Sequence, residues 1–157
     1  VAAPDLIADV LCTHEPLAMA RRLDLTHSAP ADTVMRVDRG DALRALGNLV
    51  SNAVKFTPEG GRVLVEASRV DGEVVFTVTD TGPGMSPATL ARAFDRFYRA
   101  PDAETQNTPG TGLGLAIVRE LAERNGGRVD LTSPEHGGLR ATLAFPAVPQ
   151  HAEAGAR

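Results

Sequence analysis

Cysteine is almost absent from this chain of 157 residues. Cys12 is the only one, so no internal disulfide can form, which fits a reducing compartment. Long apolar runs are also missing. No stretch of about 18 apolar residues occurs, so nothing in the sequence reads as a membrane span. Val1 to Leu11 has no basic start and contains Pro4, Asp5 and Asp9, so we read no secretory signal there. A basic excess is lacking too: 16 Lys and Arg stand against 20 Asp and Glu, for a net charge of -4. That balance argues against a general nucleic-acid binder. Lysine is nearly gone, Lys55 being the only one among the 16 basic residues, and alanine is abundant, as in GC-rich bacterial genomes. The chain does not begin with Met, so we expect a piece of a longer protein.

What is present is an ordinary globular balance, 43% hydrophobic and 23% charged, in a length suited to one domain with a core. A helix is expected from Pro4 to about Arg21, with Pro16 kinking it or ending its first half. Short strands are expected at Leu23–Thr26 and Val34–Val37. A strong helix, N-capped by Asp41, should run to Phe56, where Pro58 and Gly60-Gly61 stop it. Val63, Val65 and Ala67, then Val74, Phe76 and Val78, alternate with polar residues around Asp71-Gly72, the pattern of a hairpin. A short helix from Pro87 to Ala93 follows, then a polar loop from Tyr98 to Thr111. A second strong helix spans Gly112 to Arg124 and ends at Gly126-Gly127. Val129–Thr132 and Leu139–Phe145 close the pattern as strands. The order gives an α+β fold, a two-layer α/β sandwich with a mixed sheet packed on about three helices. We assign residues 1–22 to a linker and first helix, 23–148 to the main domain and 149–157 to a frayed tail.

Three blocks carry chemistry. Asn48, Asn52 and Lys55 share one polar stripe of the long helix, at spacings of four and three. Amide oxygens suit Mg²⁺ when phosphates supply the negative charge, and a lysine can meet phosphates as a point charge; the alternative is a solvated face. Asp80-Thr81-Gly82-Pro83-Gly84-Met85 follows a strand. Its carboxylate can accept from an exocyclic amine while the glycines let a ligand approach the backbone; the alternative is an ordinary turn. Gly110-Thr111-Gly112-Leu113-Gly114-Leu115 opens a helix, where free N–H groups favour an anion. A dinucleotide fingerprint is excluded there because a polar loop, not a strand, precedes it. Between the last two blocks lies Phe94-Asp95-Arg96-Phe97-Tyr98-Arg99. Its phenylalanines suit a core anchor, and its two arginines fit either a γ-phosphate or solvent.

Taken in order, these segments resemble the N box (Asn48–Pro58), first glycine box (Asp80–Met85), F box (Phe94–Phe97) and second glycine box (Gly110–Leu115) of sensor histidine kinases, over about Leu23 to Pro146. The resemblance implies the Bergerat ATP-binding fold and an ATP-dependent protein histidine kinase domain using ATP and Mg²⁺. It implies that Asn52 holds Mg²⁺ with Asn48 assisting, that Lys55 contacts phosphates, and that Phe56 packs on adenine. Asp80 would bind the adenine amine, with Gly82 and Gly84 lining the base pocket. Gly110, Thr111, Gly112, Leu113, Gly114 and Leu115 would face the phosphates; Arg96 and Arg99 stay catalytic candidates from their position alone, with solvent as the alternative. Asn125 stands where the family often has histidine, and we expect no chemical consequence.

One more absence bears on the reaction. Related ATPases place a glutamate four residues before the metal asparagine; this chain has Asn48, and an amide cannot serve as a general base. The resemblance therefore implies transfer rather than hydrolysis. The acceptor would be a histidine on a separate dimerising hairpin, with a response regulator downstream. His14 lacks the surrounding acceptor motif. A serine kinase sharing the fold and a nucleotide-sensing module are the alternatives. The chain alone is expected to be a monomer that does not phosphorylate itself. Its parent is expected to be a membrane-anchored homodimer with this domain in the cytoplasm.

Overall fold

A computed structural model describes residues 1–95, 114–134 and 137–149. In chain order the elements are α1 (Ala3–Ala20), β1 (Asp24–Ser28), α2 (Arg39–Phe56), β2 (Arg62–Val70), β3 (Glu73–Asp80), α3 (Pro87–Arg92), α4 (Gly114–Arg124), β4 (Arg128–Thr132) and β5 (Leu139–Pro146). The hairpin of β2 and β3 turns at Asp71 (φ 48°) and Gly72 (φ 83°), the paired positive values of a tight turn matched to strand twist.

The five strands lie in the order β1-β2-β3-β5-β4. β1 runs parallel to β2, and the other neighbours are antiparallel, so the sheet is mixed as expected. Side chains on alternating positions bury Val63 and Val65 of β2, Val74, Phe76 and Val78 of β3, and Leu143 and Phe145 of β5. Against that face pack Leu6, Ile7 and Val10 of α1, Leu46, Val50 and Val54 of α2, and Val118 and Leu121 of α4. Each such side chain contributes roughly 1.5–3 kcal/mol of transfer free energy. The result is the α+β sandwich that the sequence pattern implies.

α1 runs to Ala20, close to the expected end, and is unbroken at Pro16: the proline is exposed, and Ala18 beyond it is buried. Two expectations need correction. Val34–Val37 does not form a strand. Val34 bridges Ala2 and Met35 bridges Ala147, single pairings that wedge this segment between the chain's first residues and the end of β5. Finally, Asp38 rather than Asp41 caps α2, its carboxylate accepting from the Asp41 N–H at 2.9 Å. Both are capping residues by type. Asp41 is taken up elsewhere, by α4.

Candidate functional site

The alternation that buries Phe76 and Val78 carries through to the end of β3, so Asp80 points to the same face, toward the helices. Only 8% of Asp80 is exposed. Its Oδ1 accepts the Gly82 N–H at 2.9 Å and the Leu139 N–H at 3.2 Å. Oδ2 makes no hydrogen bond among the described residues. Burial pushes the Asp80 carboxyl above its ordinary pKa, against the opposing pull of the two backbone donors. The site thus holds a carboxylate with one oxygen committed to the backbone and the other left to accept.

Glycines shape the surroundings of Asp80. A methyl on Gly82 would sit 3.1 Å from Asp80 Oδ1 and 3.3 Å from the Phe56 carbonyl, so the first glycine block runs directly beside the last turn of α2. Gly84 has φ 74°, and a methyl there would stand 2.5 Å from Ser133 Oγ and 2.6 Å from the Gly138 carbonyl. Ser133 closes this corner by donating to the Gly138 carbonyl at 3.1 Å and accepting the Met85 N–H at 3.4 Å. Leu139, Gly138 and Ser133 are the participants that sequence reasoning missed. The available signal was Gly137-Gly138 just before a strand, since glycine there marks close backbone approach. Indeed, a methyl on Gly138 would overlap the Asp80 carbonyl.

The polar stripe of α2 forms the second wall. Asn48, Asn52 and Lys55 are all half-buried, and a methyl on Gly114 at the start of α4 would lie 3.9 Å from Asn52 Nδ2 and 4.0 Å from Oδ1. The first block and the last part of the glycine-rich third block therefore face one another across 62 residues of sequence. Leu115 is half-buried in the first turn of α4. Arg21 at the end of α1 donates from Nη2 to the Thr57 carbonyl at 2.8 Å, anchoring the end of α2 behind Phe56. Gly110, Thr111, Gly112, Leu113, Arg96, Arg99 and Phe97 lie outside the described residues, as do His136 and His151.

His14 reaches from α1 toward α2, its Nε2 3.8 Å from where a methyl on Gly47 would be. Burial first, then the Lys55 charge, hold its pKa below the ordinary value. Among the described residues no three His, Cys, Asp or Glu side chains are grouped to hold a metal ion. No helix among them is long and apolar enough to cross a membrane.

Residues 37–149 match the family described as histidine kinase-, DNA gyrase B-, and HSP90-like ATPases. The sensor-like histidine kinase SenX3 of Mycolicibacterium smegmatis is 33% identical over 144 residues, covering 92% of this chain and 38% of SenX3. The chain thus spans less than half the length of that relative. Among solved structures, the mycobacterial sensor histidine kinase MprB superposes with a TM-score of 0.78 at 30% identity, over 95% of this chain and 97% of that one. Full-length ShkA in complex with AMPPNP superposes with a TM-score of 0.78 at 34% identity, over 94% of this chain and 30% of that one. With the order of its blocks, its mixed sheet and these relatives in agreement, this chain belongs to the histidine kinase-, DNA gyrase B-, and HSP90-like ATPase family, on its sensor histidine kinase branch.

Proposed function

We propose that this chain binds Mg²⁺-ATP between its sheet and helices and donates the γ-phosphate to a histidine on a separate dimerisation domain. The observation that carries this reading is the pairing along the end of α2: Asn52 opposite Gly114, and Phe56 beside Gly82 and Asp80. A base held near Asp80 Oδ2 and Phe56 would place its phosphates toward Asn52, Lys55 and the start of α4. The likeness to ShkA, solved in complex with AMPPNP, is in keeping with a nucleotide ligand.

The donor chemistry fits magnesium. With no acidic or histidine cage among the described residues, a cation would arrive with the nucleotide and take the amide oxygens of Asn52 and Asn48 as neutral ligands. When bound, it would neutralise charge on the phosphate oxygens. Lys55 adds a point charge one turn beyond Asn52. Asn48 cannot take a proton from water, so the bound nucleotide is held rather than hydrolysed until an acceptor docks. Arg96 and Arg99 are assigned to the transferring phosphate, and Gly110 to Leu113 to the phosphates by their backbone. The acceptor domain, a response regulator downstream, a homodimeric parent and a membrane anchor complete the proposal; the chain by itself remains a monomer.

Calorimetric titration with ATP, with and without Mg²⁺, tests the binding step. Wild-type binding that Mg²⁺ strengthens, and that Asn52→Ala makes indifferent to Mg²⁺, is the expected result. Adding a histidine-bearing hairpin and labelled ATP then tests transfer. No phosphohistidine with intact binding would turn the reading to a nucleotide-sensing module.

A further inference from the structure

At the end of the α2–α4 pair remote from the glycines, four side chains form a closed hydrogen-bonded cluster. Asn125 Oδ1 accepts the Asp38 N–H at 3.0 Å. Asn125 Nδ2 donates to Asp41 Oδ2 at 2.9 Å and to the Leu121 carbonyl at 2.8 Å. Arg124 reaches the same carboxylate with Nε at 3.1 Å and Nη2 at 2.5 Å. Asp38 in turn caps Asp41, so the cap of α2 and the end of α4 are one unit. Nothing about nucleotide chemistry requires this cluster.

Its place along the helices gives it a use. α2 and α4 run antiparallel, and the Asp41–Asn125 contact and the Asn52–Gly114 contact are separated by 11 residues on each helix. Both spans are about 16 Å long. Two rods pinned at one end and of equal length must arrive in register at the other. Apolar burial holds the pair together, with Ala42, Ala45 and Ala53 among the buried residues of α2 and Val118, Leu121 and Ala122 buried on α4, but hydrogen bonds carry a direction that apolar area lacks. A slip of one residue would move Asn52 by about 1.5 Å and turn it by about 100° away from Gly114.

We propose that Asn125, with Asp41, is a positioning residue that holds Asn52 in register opposite Gly114, so that its amide oxygen meets the phosphate-bound metal. This rests on the Mg²⁺-ATP reading above. Asn125 touches no nucleotide; it acts through the helix pair.

The test is ATP titration of the whole chain in Mg²⁺ and in EDTA, for wild type, Asn125→Ala, Asn52→Ala and the double variant. Asn125→Ala is expected to weaken Mg²⁺-ATP binding about tenfold. Binding in EDTA, which depends on Asp80, should stay within about twofold of wild type. In the Asn52→Ala background the Asn125 substitution should cost nothing further, because both act on one contact. If Asn125→Ala does not fold, Asn125→Ser carries the same expectation: it stays polar but is too short to reach Asp38, Asp41 and the Leu121 carbonyl together. Equal losses in Mg²⁺ and EDTA, a full additional loss in the double variant, or unchanged Mg²⁺ binding would each overturn the proposal while leaving the ATP reading intact. A wild-type chain that takes up no Mg²⁺-ATP would overturn both.

Discussion

Asp80 and Leu139 are 59 residues apart in sequence, and the Leu139 N–H donates to Asp80 Oδ1 at 3.2 Å. The bond ties the end of β3 to the start of β5 where the two strands pair, and it leaves Asp80 Oδ2 for a ligand. A residue serving both structure and binding can have those roles separated by an isosteric change.

Asp80→Asn makes that separation. Its amide oxygen can replace Oδ1 toward Gly82 and Leu139, while its NH₂ takes the place of the free acceptor. An exocyclic amine would then meet a donor, and ATP binding should fall by at least about a hundredfold, roughly two hydrogen-bond equivalents. Stability should move the other way. Because burial raises the folded-state pKa of Asp80, the native protein binds this proton more readily than the unfolded chain. Wild type therefore gains from this group as pH falls through the raised value and bears the cost of a buried charge above it. At pH 7 the variant should melt at or above the wild-type temperature. A lower Tm with binding retained would contradict both halves.

Gly84→Ala should damage the same corner by strain. The residue sits at φ 74°, and the added methyl would meet Ser133 Oγ and the Gly138 carbonyl. A loss of about 1–3 kcal/mol is expected in urea unfolding, together with weaker ATP binding. Unfolding curves that superpose on wild type would show that the loop relaxes freely.

Asp41 makes a pH prediction of the opposite sign. Hydrogen bonds from Arg124 and then Asn125 hold its carboxyl below the ordinary value of 3.8. Its contribution is present above that value and disappears as pH falls through the lower folded-state pKa. The stability gap between wild type and Asp41→Asn should be steady near neutrality and close in acid below pH 3.8. Chemical denaturation at a series of pH values measures it. A gap that widens in acid would exclude the assignment.

Asn48→Glu supplies the group that the related hydrolases carry one helical turn before their metal asparagine. Asn48 is half-buried on the same stripe as Asn52, so a carboxylate there could take a proton from water. Phosphate release from ATP by the isolated chain should rise about a hundredfold, the lower range for general-base catalysis. No increase with ATP still bound would mean that water has no path to the phosphate beside Asn48.

Much of this was legible in the residues themselves. Periodicities of two and of about 3.6 mark β2, β3, α2 and α4 because each side chain's burial follows from local backbone geometry. The turn at Asp71-Gly72 is equally local, since only residues tolerant of positive φ fit it. Asn52, Asp80 and the glycine blocks stand out as residue types that neither helix propensity nor strand propensity would select.

Partner choice between distant segments could not be read that way. Asp38 and Asp41 are equally good caps by type, and which one caps depends on Arg124 and Asn125 arriving from α4 to claim the other. Asn125 looked like a neutral departure until its three bonds were seen. Val34–Val37 has strand composition but finds only single bridges, to Ala2 just before α1 and to Ala147 just after β5. Most helices and strands were legible in the residues, since burial there repeats every two to four positions, and residue type alone singled out Asn52 and Asp80 as candidates. That the Leu139 N–H meets Asp80 and that Asn52 stands opposite Gly114 came from the fold, since every residue but proline carries a backbone N–H and a glycine does not say which distant side chain will approach it.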